Sequence, residues 1–155
     1  MISIRRAVPN EADALTRIAL GAKRHWGYPE RWIELWKPQL TFSPDYFEEN
    51  ESWVAELDDI PIAFYTLLEK DGNAFLENLW VAPAFIGKGV GKALFFHALE
   101  LSRQRGYQRL QLDADPHAVG FYEKMGMQKI GERASEMEGQ PRILPIMEIR
   151  LADPF

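Results

Sequence analysis

A glycine-rich loop, Phe85-Ile86-Gly87-Lys88-Gly89-Val90-Gly91-Lys92-Ala93, joins a predicted strand to a predicted helix. Glycine lets backbone N–H groups approach a ligand closely. The start of a helix adds unpaired N–H donors and the positive end of the helix dipole. Lys88 and Lys92 bring local positive charge to a chain whose formal net charge is -5. The glycine loop is therefore predicted to bind phosphate groups, with a ligand-free turn as the alternative.

Two familiar phosphate-binding loops fit these residues poorly. A Walker A loop has Ser or Thr directly after its Gly-Lys pair to bind magnesium, whereas Ala93 follows that pair here. A dinucleotide fingerprint needs Gly-x-Gly-x-x-Gly, and Leu94 stands where its third glycine would fall. Asp113 lies at the end of a predicted strand about twenty residues further on, where such a fingerprint has an acidic residue. A nucleotide-binding protein therefore stays open as one hypothesis.

A second motif lies downstream of the glycine loop. The helix predicted after the strand Leu110–Asp113 carries Ala118-Val119-Gly120-Phe121-Tyr122-Glu123-Lys124-Met125-Gly126. The two motifs together resemble the GCN5-related N-acetyltransferase (GNAT) superfamily, in which Arg/Gln-x-x-Gly-x-Gly/Ala opens a long helix and Ala-x-x-Phe-Tyr-x-x-x-Gly follows one strand later. The strand end Asn78–Pro83 also matches the family's apolar-x-Val-x-Pro pattern. The resemblance covers residues 74–132.

Hydrophobic periodicity and turn residues predict the elements that position these motifs. Before the glycine loop we expect three helices. The first starts at Pro9 and is interrupted by Gly21–Pro29, the second has Trp32, Leu35 and Trp36 on one face and ends at Pro38, and the third is Pro44–Glu49. The strands expected in this part are Ile2–Arg5, Ser52–Leu57, Ile60–Glu69 and Ala74–Val81. After it we expect the helix Val90–Arg105, the strand Leu110–Asp113, the helix Pro116–Met125, the strand Met127–Arg133, a loop over 138–145 and the strand Ile146–Leu151. This order predicts an α/β (α+β) fold with a mixed, mostly antiparallel sheet of about six or seven strands flanked by helices, as in the GNAT family. We expect one domain over residues 1–155.

Composition excludes several classes of protein. The chain has 155 residues and no cysteine, so disulfide scaffolds, thiolate metal sites and catalytic cysteines are excluded. Its apolar share of 46% and charged share of 26% are typical of an ordinary soluble domain. The negative net charge argues against a general nucleic-acid binder. No apolar run approaches the length of a membrane span, and the first residues lack the apolar region of a signal peptide, so we expect a cytoplasmic protein.

The resemblance implies an acyltransferase of the EC 2.3.1 class that moves the acetyl group of acetyl-CoA directly to an amine of a small molecule or peptide, without a metal. In the family, a backbone N–H near Leu79–Val81, exposed by a bulge, polarises the thioester. The residues implied to bind acetyl-CoA are Leu79, Trp80, Val81, Ile86, Gly87, Lys88, Gly89, Val90, Gly91, Lys92, Phe121 and Tyr122. A non-catalytic acyl-CoA-binding module that regulates a partner is the alternative, and a homodimer is left open.

Two positions depart from the family pattern. Ile86 occupies the usual Arg/Gln position and cannot donate a hydrogen bond through its side chain, so the backbone N–H groups of residues 87–92 must hold the phosphates. Asp115 occupies a position often held by Asn. We expect Asp115 to cap the helix that starts at Pro116, since aspartate is a favoured N-cap residue.

Two residues are candidates for proton transfer. Tyr122 matches the family tyrosine that commonly protonates the departing sulfur, and the alternative is that it packs its helix against the sheet. Glu77 lies two residues before Leu79 and therefore on the same face of the strand. A carboxylate among apolar neighbours would be partly desolvated and suited to act as a base, directly or through water. The alternative for Glu77 is a solvated acid.

The acceptor amine is expected to bind between the N-terminal helices and the late hairpin. Trp26 and Tyr28 lie in a segment dense in polar and aromatic side chains, where they either line a substrate site or cover the core. Arg142 is a candidate for binding an acidic group of the substrate, with a surface salt bridge as the alternative. The sequence does not identify the amine, because substrate-binding segments vary freely within one fold.

Overall fold

The computed structural model describes residues 2–151. Within that range the chain forms seven strands: β1 Ile2–Arg6, β2 Glu51–Leu57, β3 Ile60–Lys70, β4 Asn73–Val81, β5 Arg109–Asp113, β6 Gln128–Met137 and β7 Gln140–Arg150. The same range forms five α-helices: α1 Ala12–His25, α2 Glu30–Leu40, α3 Pro44–Glu49, α4 Val90–Gln104 and α5 Val119–Lys124.

The strands form one sheet in the order β1-β2-β3-β4-β5-β7-β6. The β4–β5 pair is parallel, joining Ala74 with Leu110 and Phe75 with Gln111 at the start of β4. The pairs β1–β2, β2–β3, β5–β7 and β6–β7 are antiparallel. The predicted mixed, mostly antiparallel sheet flanked by helices is confirmed.

The hairpin between β2 and β3 forms where the sequence predicted it. Asp58 and Asp59 have φ values of 51° and 66°, the left-handed conformation that a two-residue turn of type I′ needs at both central positions. Aspartate tolerates this conformation better than most residues.

Two predicted helix ends are wrong. Helix α1 continues through Gly21 to His25, where an interruption was expected. A Cβ at Gly21 would come within 3.3 Å of Pro83 Cδ, so the glycine permits close packing rather than a break. Helix α2 continues past Pro38 to Leu40, which is buried. Proline lacks the N–H that would bond to the carbonyl four residues earlier, and the helix ends two residues after it.

The face predicted for α2 is also partly wrong. Ile33, Trp36 and Leu40 are its buried residues. Leu35, which was expected to share the apolar face, is 57% exposed.

The predicted loop over 138–145 is wrong as well. Only Glu138 and Gly139 form a turn, and β6 and β7 make one long hairpin that includes Pro141 and Pro145. β5 pairs with β7 over Ile146–Arg150, and the N–H of Ala114 donates to the Pro145 carbonyl. Pro141 therefore lies where β7 is hydrogen-bonded on one side, and Pro145 lies where the pairing on the other side ends. A residue without an N–H is tolerated on such an edge.

The chain falls into two compact units. The first comprises the described residues up to Leu67 together with Asn78–Phe95. Its fully buried side chains include Leu15, Ile33 and Phe64. The second comprises Leu68–Glu77 and the described residues from Phe96 onward, with Leu110, Leu112 and Met147 buried at its centre. Each such side chain stabilises its unit by about 1.5–3 kcal/mol relative to exposure.

Candidate active site

The glycine loop follows β4 and leads into α4, as the sequence predicted. Gly87 and Gly89 have φ values of 80° and 83°, a left-handed conformation that favours glycine. The N–H of Ala93 donates to the carbonyl of Gly89 at 3.1 Å, which starts the hydrogen bonding of α4. The first N–H groups of such a helix have no partner within it. The glycine loop therefore leads, through two residues in left-handed conformation, into the N-terminus of α4, whose first N–H groups have no partner within the helix.

The side chains of the glycine loop leave room for a ligand. Val90 is buried and anchors the loop, whereas Lys88 and Lys92 are exposed. A Cβ built on Gly87 or Gly89 would meet no atom within 4 Å, so the space beside both Cα atoms is open. Accessible N–H donors and two lysines fit the phosphates of acetyl-CoA. Ile86 is half-buried, and its side chain contributes no donor.

The end of β4 is held by a buried polar network. Asn78 Nδ2 donates to Tyr46 Oη at 2.9 Å and to Thr66 Oγ1 at 3.1 Å. Asn78 Oδ1 accepts from Trp80 Nε1 at 3.1 Å. The Thr66 hydroxyl also lies 2.7 Å from that of Ser52, and both are fully buried. This network fixes the backbone around Leu79–Val81, which itself is half-buried.

Tyr122 is a buried residue of α5. Its side chain packs edge-on against Phe121, with ring centroids 5.1 Å apart, and only 8% of the residue is exposed. Burial raises the pKa of the Tyr122 hydroxyl, and the negative charge of Asp115 raises it further. Tyr122 is therefore protonated at neutral pH, so its hydroxyl can donate a hydrogen bond or a proton.

Asp115 caps the turn that leads into α5, as predicted. Its Oδ1 accepts from the backbone N–H of His117 at 2.9 Å and lies 3.1 Å from His117 Nδ1. Its Oδ2 accepts from Arg142 Nη2 at 3.2 Å, and the two side chains are 12% and 13% exposed. Arg142 lies on β7 rather than in a loop. This pair ties the β6–β7 hairpin to the turn before Tyr122.

The family model of the acetyltransferase (GNAT) family matches residues 15–127. The chain belongs to the GNAT acetyltransferase family. It is therefore an N-acetyltransferase, an enzyme that transfers an acetyl group to an amine. The membership expected from the two sequence motifs is confirmed.

Three proteins illustrate the similarity. The peptidyl-lysine N-acetyltransferase YjaB of Salmonella typhimurium is 31% identical over 143 residues, which are 91% of this chain and 93% of that protein. A Bacillus subtilis protein assigned provisionally as a ribosomal protein bS18-alanine N-acetyltransferase is 32% identical over 100 residues, 54% of this chain and 66% of that protein. The crystal structure of the PaiA N-acetyltransferase of Thermoplasma acidophilum in complex with coenzyme A has a TM-score of 0.74 at 22% identity and covers 97% of this chain and 99% of that one.

Glu77 lies in the exposed environment that the sequence analysis gave as the alternative. The residue is exposed, whereas its neighbours Phe75, Leu76 and Asn78 are buried. The expectation that Glu77 is partly desolvated is therefore wrong. Its assignment as the GNAT base stays a prediction.

Asp113 has a carboxylate environment that the sequence analysis did not predict. Its Oδ2 accepts from Arg133 Nε at 2.7 Å. Its Oδ1 is buried and has no hydrogen-bond partner within the described part of the chain. Asp113 ends β5, and a carboxylate at the end of a parallel strand was the available signal. The sequence analysis used that signal only for the nucleotide hypothesis.

The segment with Trp26 and Tyr28 joins α1 to α2. Both residues are half-buried. The Trp26 ring meets that of His25 edge-on at 5.8 Å, and the Tyr28 ring meets that of Trp36 at 4.8 Å. A substrate-binding role for Trp26, Tyr28 and Arg142 stays a prediction.

Over residues 2–151, no helix is both long and apolar enough to cross a membrane. The same residues contain no group of three or more His, Asp or Glu side chains placed to hold a metal ion.

Proposed function

We propose that this GNAT enzyme takes its acetyl group from acetyl-CoA and transfers it directly to a primary amine of a polypeptide, with a lysine side chain as the first candidate. The glycine loop at the N-terminus of α4 is the observation that supports acetyl-CoA as the donor. The similarity to a peptidyl-lysine N-acetyltransferase over 91% of the chain supports the acceptor. A protein N-terminus and a small-molecule amine are the other acceptors that the assay below includes.

Acetyl-CoA supplies an activated thioester when bound. The backbone N–H groups of residues 87–92 would hold its phosphates, and the side chains of Lys88 and Lys92 would add positive charge. Because a backbone N–H does not depend on side-chain identity, Ile86 at the usual Arg/Gln position weakens this site without removing it. Leu79, Trp80 and Val81 would bind along β4, and Phe121 along α5.

A backbone N–H in Leu79–Val81 is proposed to polarise the thioester carbonyl. A fixed donor stabilises developing negative charge better than a mobile one, because it needs no reorganisation. The hydrogen bonds of Asn78 to Tyr46, Thr66 and Trp80 provide that rigidity. The bulge expected at Leu79–Val81 stays a prediction.

Tyr122 is proposed to donate a proton to the departing sulfur. Its buried hydroxyl stays protonated throughout the physiological pH range, since burial and Asp115 both raise its pKa. A donor of high pKa is weak in the ground state. It becomes effective as the sulfur gains negative charge.

Two carboxylates are candidates for accepting the proton of the amine. Glu77 is exposed and would act through water. Asp113 has a buried oxygen available as an acceptor, while Arg133 holds its other oxygen. We propose to separate them by pH–rate profiles. The rate of acetyl transfer is measured against pH for Glu77→Gln and Asp113→Asn. The base is the residue whose replacement abolishes the fall of the rate at acidic pH.

An assay of free thiol release tests the proposed function. Acetyl-CoA is mixed with a lysine peptide whose N-terminus is blocked, a lysine-free peptide with an N-terminal alanine, and a polyamine. Fastest thiol release with the lysine peptide, with acetyl-lysine identified by mass spectrometry, is the expected result. Binding of acetyl-CoA without turnover on any amine would instead support the regulatory module.

Three wider expectations belong to the same proposal. We propose that residues 1–155 act as one catalytic domain, because the Salmonella relative aligns over 91% of the chain. A cytoplasmic location and a homodimer stay predictions.

A further inference from the structure

The indole of Trp80 is oriented by a hydrogen bond within its own strand. Trp80 Nε1 donates to Asn78 Oδ1 at 3.1 Å. Side chains two residues apart on a strand share a face, so the indole lies on the Asn78 face of β4, opposite to Leu79 and Val81. Trp80 is half-buried, whereas Asn78 is buried. Because its N–H is bonded inside the protein, the indole can meet a ligand only through the apolar surface of its rings.

The orientation of Asn78 is itself fixed from helix α3 and strand β3. Asn78 Nδ2 donates to Tyr46 Oη of α3 at 2.9 Å and to Thr66 Oγ1 of β3 at 3.1 Å. Both N–H groups of the amide are thus used, and its oxygen faces the indole, which can only donate. The side chain of Asn78 therefore holds the Trp80 ring in one position relative to α3.

Aromatic packing joins helix α1 to the same face. Phe64, two residues before Thr66 on β3, is fully buried, and its ring lies 5.6 Å from that of Phe42. The backbone N–H of Phe42 donates to Thr16 Oγ1 of α1 at 2.9 Å. The N-terminal helices α1 and α3 are therefore connected to the face of the sheet that carries Trp80. This is the side on which the acceptor amine is expected to bind.

Direct transfer brings both substrates to the end of β4. The proposed function puts the thioester carbonyl at a backbone N–H in Leu79–Val81. The acceptor nitrogen must then come within about 3–3.5 Å of the thioester carbon. Trp80 is the middle residue of that segment, so its side chain borders the path by which the acceptor arrives.

We propose that the indole of Trp80 packs against the aliphatic chain of the acceptor amine and so favours a lysine side chain over a protein N-terminus. The backbone of Trp80 remains part of the strand that binds acetyl-CoA. The contact is made with methylene groups and not with the nitrogen, so the amine can lose its proton and attack the thioester as a neutral nucleophile. The inference deepens the proposed function and rests on it for the position of the thioester and the identity of the acceptor.

Hydrophobic contact sets the size of the effect. Full burial of one methylene group changes an affinity by about fourfold. An indole that covers one side of a lysine side chain should therefore contribute about tenfold in total. The amine of a peptide N-terminus has no such chain and should gain little from Trp80.

The test measures acetylation of peptides with blocked N-termini by the full chain. One peptide carries lysine as acceptor, and the other carries 4-oxalysine, in which an ether oxygen replaces one methylene group. In Trp80→Ala the KM for the lysine peptide should rise by about tenfold or more, while the Kd for CoA, measured by calorimetry, stays unchanged. The preference for lysine over 4-oxalysine, taken as the ratio of kcat/KM values, should fall by about twofold or more. The ether oxygen also lowers the pKa of the amine, but that change is common to both enzymes and cancels when their ratios are compared.

Trp53→Ala is the matched control. Trp53 Nε1 donates to Glu51 Oε2 at 2.9 Å, across the same spacing of two residues but on β2. This variant should keep the wild-type KM for the lysine peptide and the wild-type preference. Trp80→Phe, which keeps an aromatic ring, should retain most of the preference for lysine. If Trp80→Ala does not fold, Trp80→Leu takes its place and must change the KM and the preference in the same directions.

Three results overturn the proposal. One is an unchanged KM of Trp80→Ala for the lysine peptide. Another is weaker binding of CoA by Trp80→Ala, which would indicate that the indole contacts the cofactor. The third is a wild-type preference for lysine over 4-oxalysine in Trp80→Ala, which would leave the indole with a packing role only.

Failure of the proposed function gives a different result, because it is visible in the wild type as the absence of acetyl-lysine. Acetylation confined to a peptide N-terminus overturns both proposals. If a polyamine is acetylated instead, the proposed acceptor is wrong, and the role of Trp80 then requires Trp80→Ala to raise the KM for the polyamine. If the wild type acetylates the lysine peptide and Trp80→Ala behaves as Trp53→Ala does, the proposed function stands and the role of Trp80 alone is wrong.

Discussion

The glycine loop and the turn Asp115–Ala118 each lead into a helix, α4 and α5 respectively. They differ in what stabilises their conformation. The glycine loop depends on backbone conformation, with Gly87 and Gly89 in left-handed geometry and open space beside both. The turn before α5 depends on side chains, because Asp115 caps it and Arg142 holds Asp115 from a distant strand. The first arrangement offers donors to a ligand, whereas the second uses its donors internally and sets the environment of Tyr122.

This difference suggests a division of labour. The glycine loop should govern the affinity for acetyl-CoA, and the region around Tyr122 should govern the rate of the chemical step. Substitutions that distort backbone geometry should therefore act on KM, and substitutions that remove side-chain groups should act on kcat or on stability.

The largest effect is expected from Gly89→Val. A β-branched residue is strained at a φ of 83°, so the loop should change conformation and lose hydrogen bonds to phosphate. At about 1.5–3 kcal/mol for each bond to a charged group, the KM for acetyl-CoA should rise roughly a hundredfold. Gly72→Val is the matched control, since Gly72 has a φ of 79° in the turn between β3 and β4. It should lose stability without a change in KM, and an equal rise in KM would break the comparison.

The next effect is expected from Tyr122→Phe. Loss of the hydroxyl should lower kcat by about tenfold or more, because general acid catalysis contributes at least that much. The Kd for CoA, measured by calorimetry, should stay nearly constant. Tyr107→Phe removes a hydroxyl that donates to Glu69 at 2.6 Å and should leave kcat unchanged. A normal rate for Tyr122→Phe would leave the residue with a packing role only.

A smaller effect is expected from Arg142→Met. The substitution removes the ion pair of Arg142 with Asp115, whose carboxylate is 12% exposed and keeps its contacts with His117. The free energy of unfolding should fall by about 1.5–3 kcal/mol, the usual contribution of a hydrogen bond to a charged group. Arg103→Met removes an exposed pair with Glu100 and should change stability little. Similar results in urea unfolding for both variants would show that the Asp115–Arg142 pair is no more than a surface contact.

The smallest effect concerns alkaline pH. The pKa of Tyr122 is raised in the folded protein, so the unfolded state loses this proton first as the pH rises. Stability is therefore complete below the ordinary tyrosine pKa of about 10 and falls above it, by about 1.4 kcal/mol for each pH unit. Tyr122→Phe should lose less stability than the wild type between pH 10 and the onset of unfolding. Parallel losses would indicate that burial does not hold the proton.

The parts of the molecule that could be predicted from the sequence are those fixed locally. Glycine spacing identified the loop, and paired aspartates identified the β2–β3 hairpin, because both signals act through backbone conformation. The Asp115 cap was predictable because it joins a side chain to a backbone N–H only two residues further along the chain.

The parts that could not be predicted depend on the packing around a residue. The alternation of side chains along a strand predicted which face of the strand carries Glu77, but not how exposed to solvent it is. Pro141 and Pro145 indicated a loop, because the sequence does not show that the pairing of their strand with β5 ends there. The hydrogen bond from Asn78 to Tyr46 joins a strand to a helix far away in the sequence, and no local pattern reports it.

One kinetic measurement tests the division of labour directly. The rate of thiol release is measured against acetyl-CoA concentration for the wild type, Gly89→Val, Tyr122→Phe and the double variant, with a lysine peptide as acceptor. The account predicts that the double variant combines the KM of the first with the kcat of the second, so that the two effects multiply. A rise in KM caused by Tyr122→Phe, or a double variant no worse than either single one, would contradict it.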